Sequence, residues 1–259
     1  MFINKVSPSK IKAYDECKKK YKFKYIDYLR DTYNKDSNTD ALQYGSFIHK
    51  VLEEGYQASS VKELKKIAVE YRENYKFPNA KLKNLDKTLE NFYNFNKQLH
   101  EHVSTELPFE VQMKGDYKLN GIIDRVVKGK TGKYLVIDYK TSKRPATSTE
   151  LYKDPQLIIY AYAISKLYTV KLDDITVAHY YPHLDKLVSV RYGATQITHF
   201  LKTLKNKIWE IRKKRKGEFC ASQNMFCNWC QYKDLCPEFG GTEQMLEEAK
   251  ETEKKRKKG

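Results

Sequence analysis

The sequence predicts an α/β fold, a mixed sheet of four or five strands flanked by helices. Three observations lead there. The apolar positions follow a helical period through Val103, and then the period shortens to that of strands. Two of those strands, Gly121-Ile122-Ile123-Asp124-Arg125-Val126-Val127 and Leu135-Val136-Ile137-Asp138-Tyr139-Lys140, carry an aspartate inside an apolar run. A helical period then returns, so that strands and helices alternate. The chain has 259 residues, 40% of them apolar, and its 21 Tyr and 11 Phe can fill a core, which excludes a wholly disordered chain.

Ser7-Pro8 reads as an N-cap with Pro at the first helical position, and Ile11, Tyr14, Tyr21 and Tyr25 continue at helical spacing. Residues 41–56 form the next helix, with Phe47, Ile48, Val51 and Leu52 inward. Leu82, Leu85, Leu89, Phe92, Leu99 and Val103 mark a long amphipathic helix, a core-forming stripe. Residues 109–113, 119–127 and 134–140 read as three antiparallel strands, joined at Gly115-Asp116 and at Lys128-Gly129-Lys130-Thr131-Gly132. Asp154-Pro155 caps a helix running to about Tyr168, and residues 175–181 form a fourth strand. Leu201, Leu204, Ile208 and Ile211 share one face of a basic helix. One domain is expected over 1–240: a largely helical portion over 1–105, the α/β core over 106–182, and a helix with a cysteine-rich clasp over 193–240 that closes onto Cys17. Residues 241–259 are expected to be a charged tail, as a frayed helix or a disordered segment.

The formal charge is +16, from 49 Lys and Arg against 33 Asp and Glu, which points to a polyanionic partner, nucleic acid first, or else to a solvated lysine-rich surface. No apolar run reaches the roughly twenty residues of a membrane span, and the first residues lack a signal-peptide core. A soluble, cytoplasmic protein without a membrane partner is expected, so the five cysteines are not expected to be disulfide staples. No Walker A motif is present, which argues against ATP-driven work by this chain alone.

Cys227-x2-Cys230-x5-Cys236 has the spacing of metal ligands, and Cys17 is the distant candidate for a fourth; Cys220 reads as a buried free thiol. Structural zinc is one reading, although zinc ligands usually pair in two local knuckles. Buried carboxylates cost several kcal/mol unless paired or bound to a cation. Asp138 and Lys140, two apart on a strand, share a face, and pairing of the strands brings Asp124 to the same place. This grouping suits metal-assisted phosphodiester hydrolysis, and equally a buried Asp–Lys salt bridge.

Taken together these residues resemble the PD-(D/E)XK nuclease superfamily, and within it the RecB/AddB-type branch with an iron–sulfur cluster, which includes the CRISPR-associated iron–sulfur exonucleases. Gly45-x3-His49 resembles the first motif of that branch, Gly121-Ile122-Ile123-Asp124 the second, Asp138-Tyr139-Lys140-Thr141 the third, and Gln156-x3-Tyr160 the helix motif that follows. The resemblance implies a restriction-endonuclease-like core. It implies His49, Asp124 and Asp138 as ligands of Mg²⁺ or Mn²⁺, and Lys140 as the catalytic lysine beside the two aspartates. It implies Gln156 and Tyr160 as substrate-binding residues, and Cys17, Cys227, Cys230 and Cys236 as ligands of a 4Fe–4S cluster. Glu110, on the strand before Asp124, reads as a further metal contact or as an exposed edge residue. The function implied is a metal-dependent DNA exonuclease of replication, recombination or repair, in a prokaryotic or phage-infected cell, with a helicase, an annealing protein or an adaptation factor as possible partner. A non-catalytic DNA-binding scaffold and an RNA-directed nuclease are the other readings.

Overall fold

The computed structural model describes residues 4–30, 33–34, 39–99, 101–214 and 218–256. The chain divides into two compact units, residues 39–205 and the two terminal segments 1–38 and 206–259 together.

The unit of residues 39–205 contains the sheet core. Its strands β2 (Glu101–Met113), β3 (Tyr117–Lys128), β4 (Tyr134–Tyr139), β5 (Ile175–Tyr181) and β6 (Lys186–Val190) follow a two-residue β1 (Lys5–Val6) of the other unit. They lie in sequence order, antiparallel throughout except for the parallel pair β4–β5. Mixed pairing follows from the connection: a parallel neighbour needs a long crossover. It is supplied here by α6 (Ser148–Tyr152) and α7 (Pro155–Leu167).

The helix α7 is capped as the sequence indicates, and α6, which the sequence did not predict, has a cap of its own. Asp154 accepts from the Gln156 backbone N–H with Pro155 at the first helical position, and Thr147 and Glu150 form a reciprocal capping box at α6. Phe47, Ile48, Val51 and Leu52 of α3 (Asp40–Glu54) are buried together with Leu64 and Ala68 of α4 (Val61–Arg72) and with Leu89 and Phe92 of α5 (Leu85–Gln98). They pack on Val127, Ile137, Tyr139 and Tyr180 of the sheet. Each buried Val, Leu, Ile or Phe side chain contributes roughly 1.5–3 kcal/mol by leaving water.

The expected long helix through Val103 is shorter. Residues 79–84 form a 3₁₀ segment, α5 ends at Gln98, and Leu99 is already extended. Val103 lies in β2, where the 13-residue strand pairs with β3 along nearly its whole length. That ladder satisfies more backbone groups than a last helical turn would. The strand β6 and the helix α4 were not legible as elements, because each buries only one or two apolar residues.

In the other unit, α1 (Pro8–Glu16), capped by Ser7, and α2 (Lys18–Tyr25) are separated by an extended Cys17 (φ −164°, ψ 119°). The even helical spacing of the aromatics hides that break. The two terminal segments are knitted by backbone and side-chain bonds: Lys19 N to Cys220 O, Asp234 N to Tyr33 O, Tyr232 Oη to Leu29 O, and Asn34 Nδ2 to Asn228 O and Cys230 O. The helix α8 (Ala194–Lys213) begins in one unit and ends in the other.

Residues 243–256 form a helix, α9, where the charge run predicts a frayed or disordered tail. Leu246, Ala249 and Glu253 share its buried face, and Leu246 and Ala249 join Phe23, Leu29, Tyr232 and Leu235 in a small core. Gly241 makes the turn before it possible: a Cβ there would lie 2.2 Å from the Leu235 carbonyl carbon. The terminal Lys257-Lys258 of that run and the first three residues of the N-terminal reading lie outside the described residues.

Candidate active site

The strands β3 and β4 part at the site. Arg125 pairs with Ile137, and one step further Asp124 and Asp138 stand across from each other. There the ladder bond is replaced: the Tyr139 backbone N–H donates to Asp124 Oδ2 at 2.7 Å. The helix α3 brings His49 to the same carboxylate, with Nδ1 3.3 Å from Asp124 Oδ2. Gly45 lies one turn earlier on α3, and a Cβ there would be 3.3 Å from Thr141 Oγ1. The missing side chain lets the helix approach the end of β4.

His49, Glu106 and Asp124 offer donor atoms that all lie within 4.8 Å of one another. Asp138 belongs to an adjoining cluster. Lys140 Nζ is 2.6 Å from Asp138 Oδ2, Gln156 Nε2 donates to Asp138 Oδ1 at 2.7 Å, and Lys140 Nζ donates to Gln156 Oε1 at 3.2 Å. Gln156 Nε2 also donates to Tyr160 Oη, which in turn donates to the Ile122 carbonyl. The chain of bonds fixes the orientation of the Gln156 amide. Asp138 is almost fully buried, whereas Lys140 keeps about a third of its side chain exposed.

Burial dominates the electrostatics. It pushes the Asp124 carboxyl well above the ordinary aspartate range, and the charge of Asp138 adds to this; the Tyr139 N–H opposes it. Glu106 is raised by burial and by Glu53. Burial lowers His49, which favours the neutral imidazole that a metal needs. For Lys140, burial acts downward, but the attraction of Asp138, Asp124 and Asp154 outweighs it and the ammonium is favoured. Two carboxylates and a neutral imidazole converging in a site that disfavours their negative charge form a donor set for a hard divalent cation.

The sequence-derived residues are distributed as follows. His49, Asp124, Asp138, Lys140, Gln156 and Tyr160 come together. Glu110 does not: it forms an ion pair with Lys118 on the neighbouring strand, four residues along β2 from the cluster. Glu106 takes the place considered for it. Its position was hidden because the expected strand began only at Phe109, and because its backbone is left-handed (φ 45°), which no periodicity reveals. His179 of β5 was also missed. It is buried with Nε2 3.6 Å from Asp138 Oδ2 and 3.7 Å from Asp154 Oδ2, and Tyr181 Oη lies 3.5 Å from its Nδ1. A histidine inside an apolar strand facing two acidic positions is the signal that could have found it.

Cys17, Cys227, Cys230 and Cys236 line one cavity of the terminal-segment unit, and Cys220 is exposed, not buried as expected. Asn224 N donates to Cys227 Sγ at 3.3 Å, and the backbone N–H groups of Tyr232 and Glu238 donate to Cys230 and Cys236. Burial raises both of these last thiols. No three of the four sulfurs lie within 4.8 Å of one another, whereas a tetrahedral zinc at ~2.3 Å would hold them roughly 3.8 Å apart.

No helix among the described residues is long and apolar enough to cross a membrane. Comparison with curated proteins gives no match. Among solved structures, the chain is similar to the crystal structure named "Putative exonuclease" from Eubacterium rectale, with a TM-score of 0.54 at 12% identity over 88% of each chain. At that identity the likeness shows the fold alone. A second structure, SSO0001, aligns with a TM-score of 0.39 at 15% identity over 92% of this chain and 88% of the other. The sequence profile of the PD-(D/E)XK nucleases matches residues 5–237, a span that includes Asp124, Asp138, Lys140 and the four cavity-lining cysteines, and on that match the chain belongs to the PD-(D/E)XK nuclease superfamily.

Proposed function

We propose that this protein is a divalent-metal-dependent DNA nuclease of the RecB/AddB-type branch, acting as an exonuclease in replication, recombination or repair. The observation that carries this reading is the juxtaposition of Lys140, 2.6 Å from Asp138, with the converging donors of His49, Glu106 and Asp124. His49, Asp124 and Asp138, with Glu106, would hold Mg²⁺ or Mn²⁺. Such an ion, when bound, polarises the scissile phosphate and acidifies a bound water.

The chain's own residues do the rest. Lys140 offsets negative charge that develops on the phosphate oxygens, from a position fixed by Asp138 and Gln156. Gln156, half-buried, faces the substrate, and Tyr160, buried behind it, holds it in place through their hydrogen bond. Asp138 orients the ammonium and contributes to cation binding. The Tyr139 N–H keeps Asp124 aimed at His49.

Cys17, Cys227, Cys230 and Cys236 would hold a 4Fe–4S cluster. The backbone N–H donors aimed at three of the sulfurs would stabilise thiolates. The cluster would clasp the terminal segments together. Cys17→Ala should then lose iron and visible absorbance, and a soluble variant that keeps both would remove the clasp from this reading.

The test is cleavage of end-labelled linear DNA and closed circular DNA, single- and double-stranded, with Mg²⁺, Mn²⁺ or EDTA. Metal-dependent shortening from ends, lost in Asp138→Ala and Lys140→Ala with DNA binding retained, is the expected result. Cutting of circles would make the enzyme an endonuclease. Full activity in Lys140→Ala would place the active site elsewhere.

A further inference from the structure

The exposed apolar side chains are not distributed evenly. In the unit of residues 39–205 they are mostly aliphatic: Leu42, Val69, Ile122, Leu167, Leu184 and Leu187, with Tyr152 as the aromatic exception. Among the described residues of the unit formed by the terminal segments they are aromatic or methionine, and both tryptophans of the chain, Trp209 and Trp229, are among them. The densest group is the cysteine loop itself. Met225, Phe226 and Trp229 are 76%, 55% and 68% exposed within five residues.

This loop lies in a basic setting. The terminal-segment unit carries 23 Lys and Arg against 14 Asp and Glu. Phe226 shares a cavity wall with Phe239, with Lys19, Lys20 and Lys233, and with Glu238 and Glu16, the last paired with Lys20. A lysine against a ring recurs in the same unit: Lys213 Nζ is 3.4 Å from the centre of the Trp209 ring, and Lys233 lies over Phe239. Leaving large rings in water is unfavourable, and the core of this unit already holds Phe23, Leu29, Tyr232 and Leu235. Flat π faces interleaved with ammonium groups match one polymer in particular. Each base of an unpaired strand offers a face to stack on, and each phosphate offers a negative charge to lysine. A duplex keeps its bases stacked on one another and has only the charge to offer.

We propose that the cysteine loop, through Trp229 and Phe226 with the lysines beside them, is a binding surface for single-stranded nucleic acid. It deepens the proposed nuclease reading and rests on it for its biological purpose: it would make unpaired strands a substrate class of the nuclease. The rings read no sequence, so binding should be tolerant of base identity and strongly salt-dependent.

The test uses the full-length protein with Asp124→Asn in EDTA, so that no strand is cut. Affinity is measured by fluorescence anisotropy for a labelled oligothymidine and for a blunt duplex of equal length. Trp229→Leu keeps apolar surface and removes the ring; Trp229→Tyr keeps a ring. Trp229→Leu combined with Phe226→Leu should weaken the single strand about tenfold or more, with little change for the duplex, and Trp229→Tyr should recover most of the loss. Equal single-strand affinity in the wild type and the double variant would overturn the proposal. So would an equal loss in Trp229→Tyr, which would mean that the loop had been disturbed and not a stack removed. A double variant that binds DNA normally but changes its sedimentation would instead make the loop a contact between copies of the chain. Cleavage of a small aryl phosphodiester, which offers no strand for the loop to hold, separates this proposal from the nuclease reading. If the wild type cuts nothing while single-strand binding still depends on Trp229, the surface stands and the catalytic reading falls.

Discussion

At the scale of single residues, the site is built from groups in conflict with their own charge. Asp124 and Glu106 converge with His49, and burial raises both carboxyls. A carboxyl with a raised folded pKa stabilises the fold at pH below its unfolded value of about 4. That contribution is lost as pH rises through the folded value, so at neutral pH the metal-free site opposes folding. Asp124→Asn keeps an oxygen to accept from the Tyr139 N–H and removes the charge. It should therefore raise the stability of the metal-free protein by about 1 kcal/mol while it abolishes the stabilisation by Mn²⁺. Thermal melts with EDTA and with Mn²⁺ check both parts, and a metal-free variant less stable than the wild type would contradict the account. The two neighbouring glutamates of β2 make a sharper comparison. Glu106→Gln should weaken Mn²⁺ binding, measured by calorimetry, by about tenfold or more. Glu110→Gln should leave it unchanged, because that side chain is engaged with Lys118 on the outer part of the strand pair. Glu110 lies within the recognisable part of the strand, whereas Glu106, with its left-handed backbone, is the carboxylate that meets His49 and Asp124.

At the scale of elements, the site depends on how closely α3 approaches the end of β4. Gly45 sets that approach, with room for a Cβ only at 3.3 Å from Thr141 Oγ1. A single methyl asks its neighbour to give by a few tenths of an ångström, whereas a branched side chain forces the helix away. Gly45→Ala should stay folded and lose a few-fold in metal affinity through displacement of His49; Gly45→Val should lose most of the activity with the overall helix content preserved. Circular dichroism beside a metal titration separates these outcomes, and a fully active Gly45→Val would show that the approach is not needed. On the other side of the strand, α7 begins at a capped Asp154-Pro155, so Gln156 at its second position is aimed at Asp138. The cap of α7 and the inward face of α3 were legible, because capping and periodicity are local properties of the chain. The end of α5 was not, since the competing partner is a strand many residues away.

At the scale of the molecule, the stability should have a steep alkaline limit. Tyr21 is pushed up to about 12 by burial and by Tyr25, and Tyr139, Tyr160, Tyr180, Tyr192 and Tyr232 are raised further, with burial the largest cause for each. For a tyrosine the unfolded chain releases its proton near 10, so the contribution of these groups is complete below about pH 10. It is lost as pH rises through the folded values. Phenolate absorbance from these six tyrosines should therefore appear in one cooperative step that coincides with loss of helical signal. Gradual titration of these six ahead of unfolding would contradict this. The sequence alone determined the α/β class, the aspartates inside the strands with Lys140, and the inward face of α3, because each rests on neighbours within a few positions. The tertiary structure decided which acidic residues meet His49, that His179 lies behind Asp138, that the terminal helix has a buried face, and that the two ends of the chain bring their cysteines into one cavity. Those relations join residues far apart in the chain, and only the packing of the whole elements sets the distances between them.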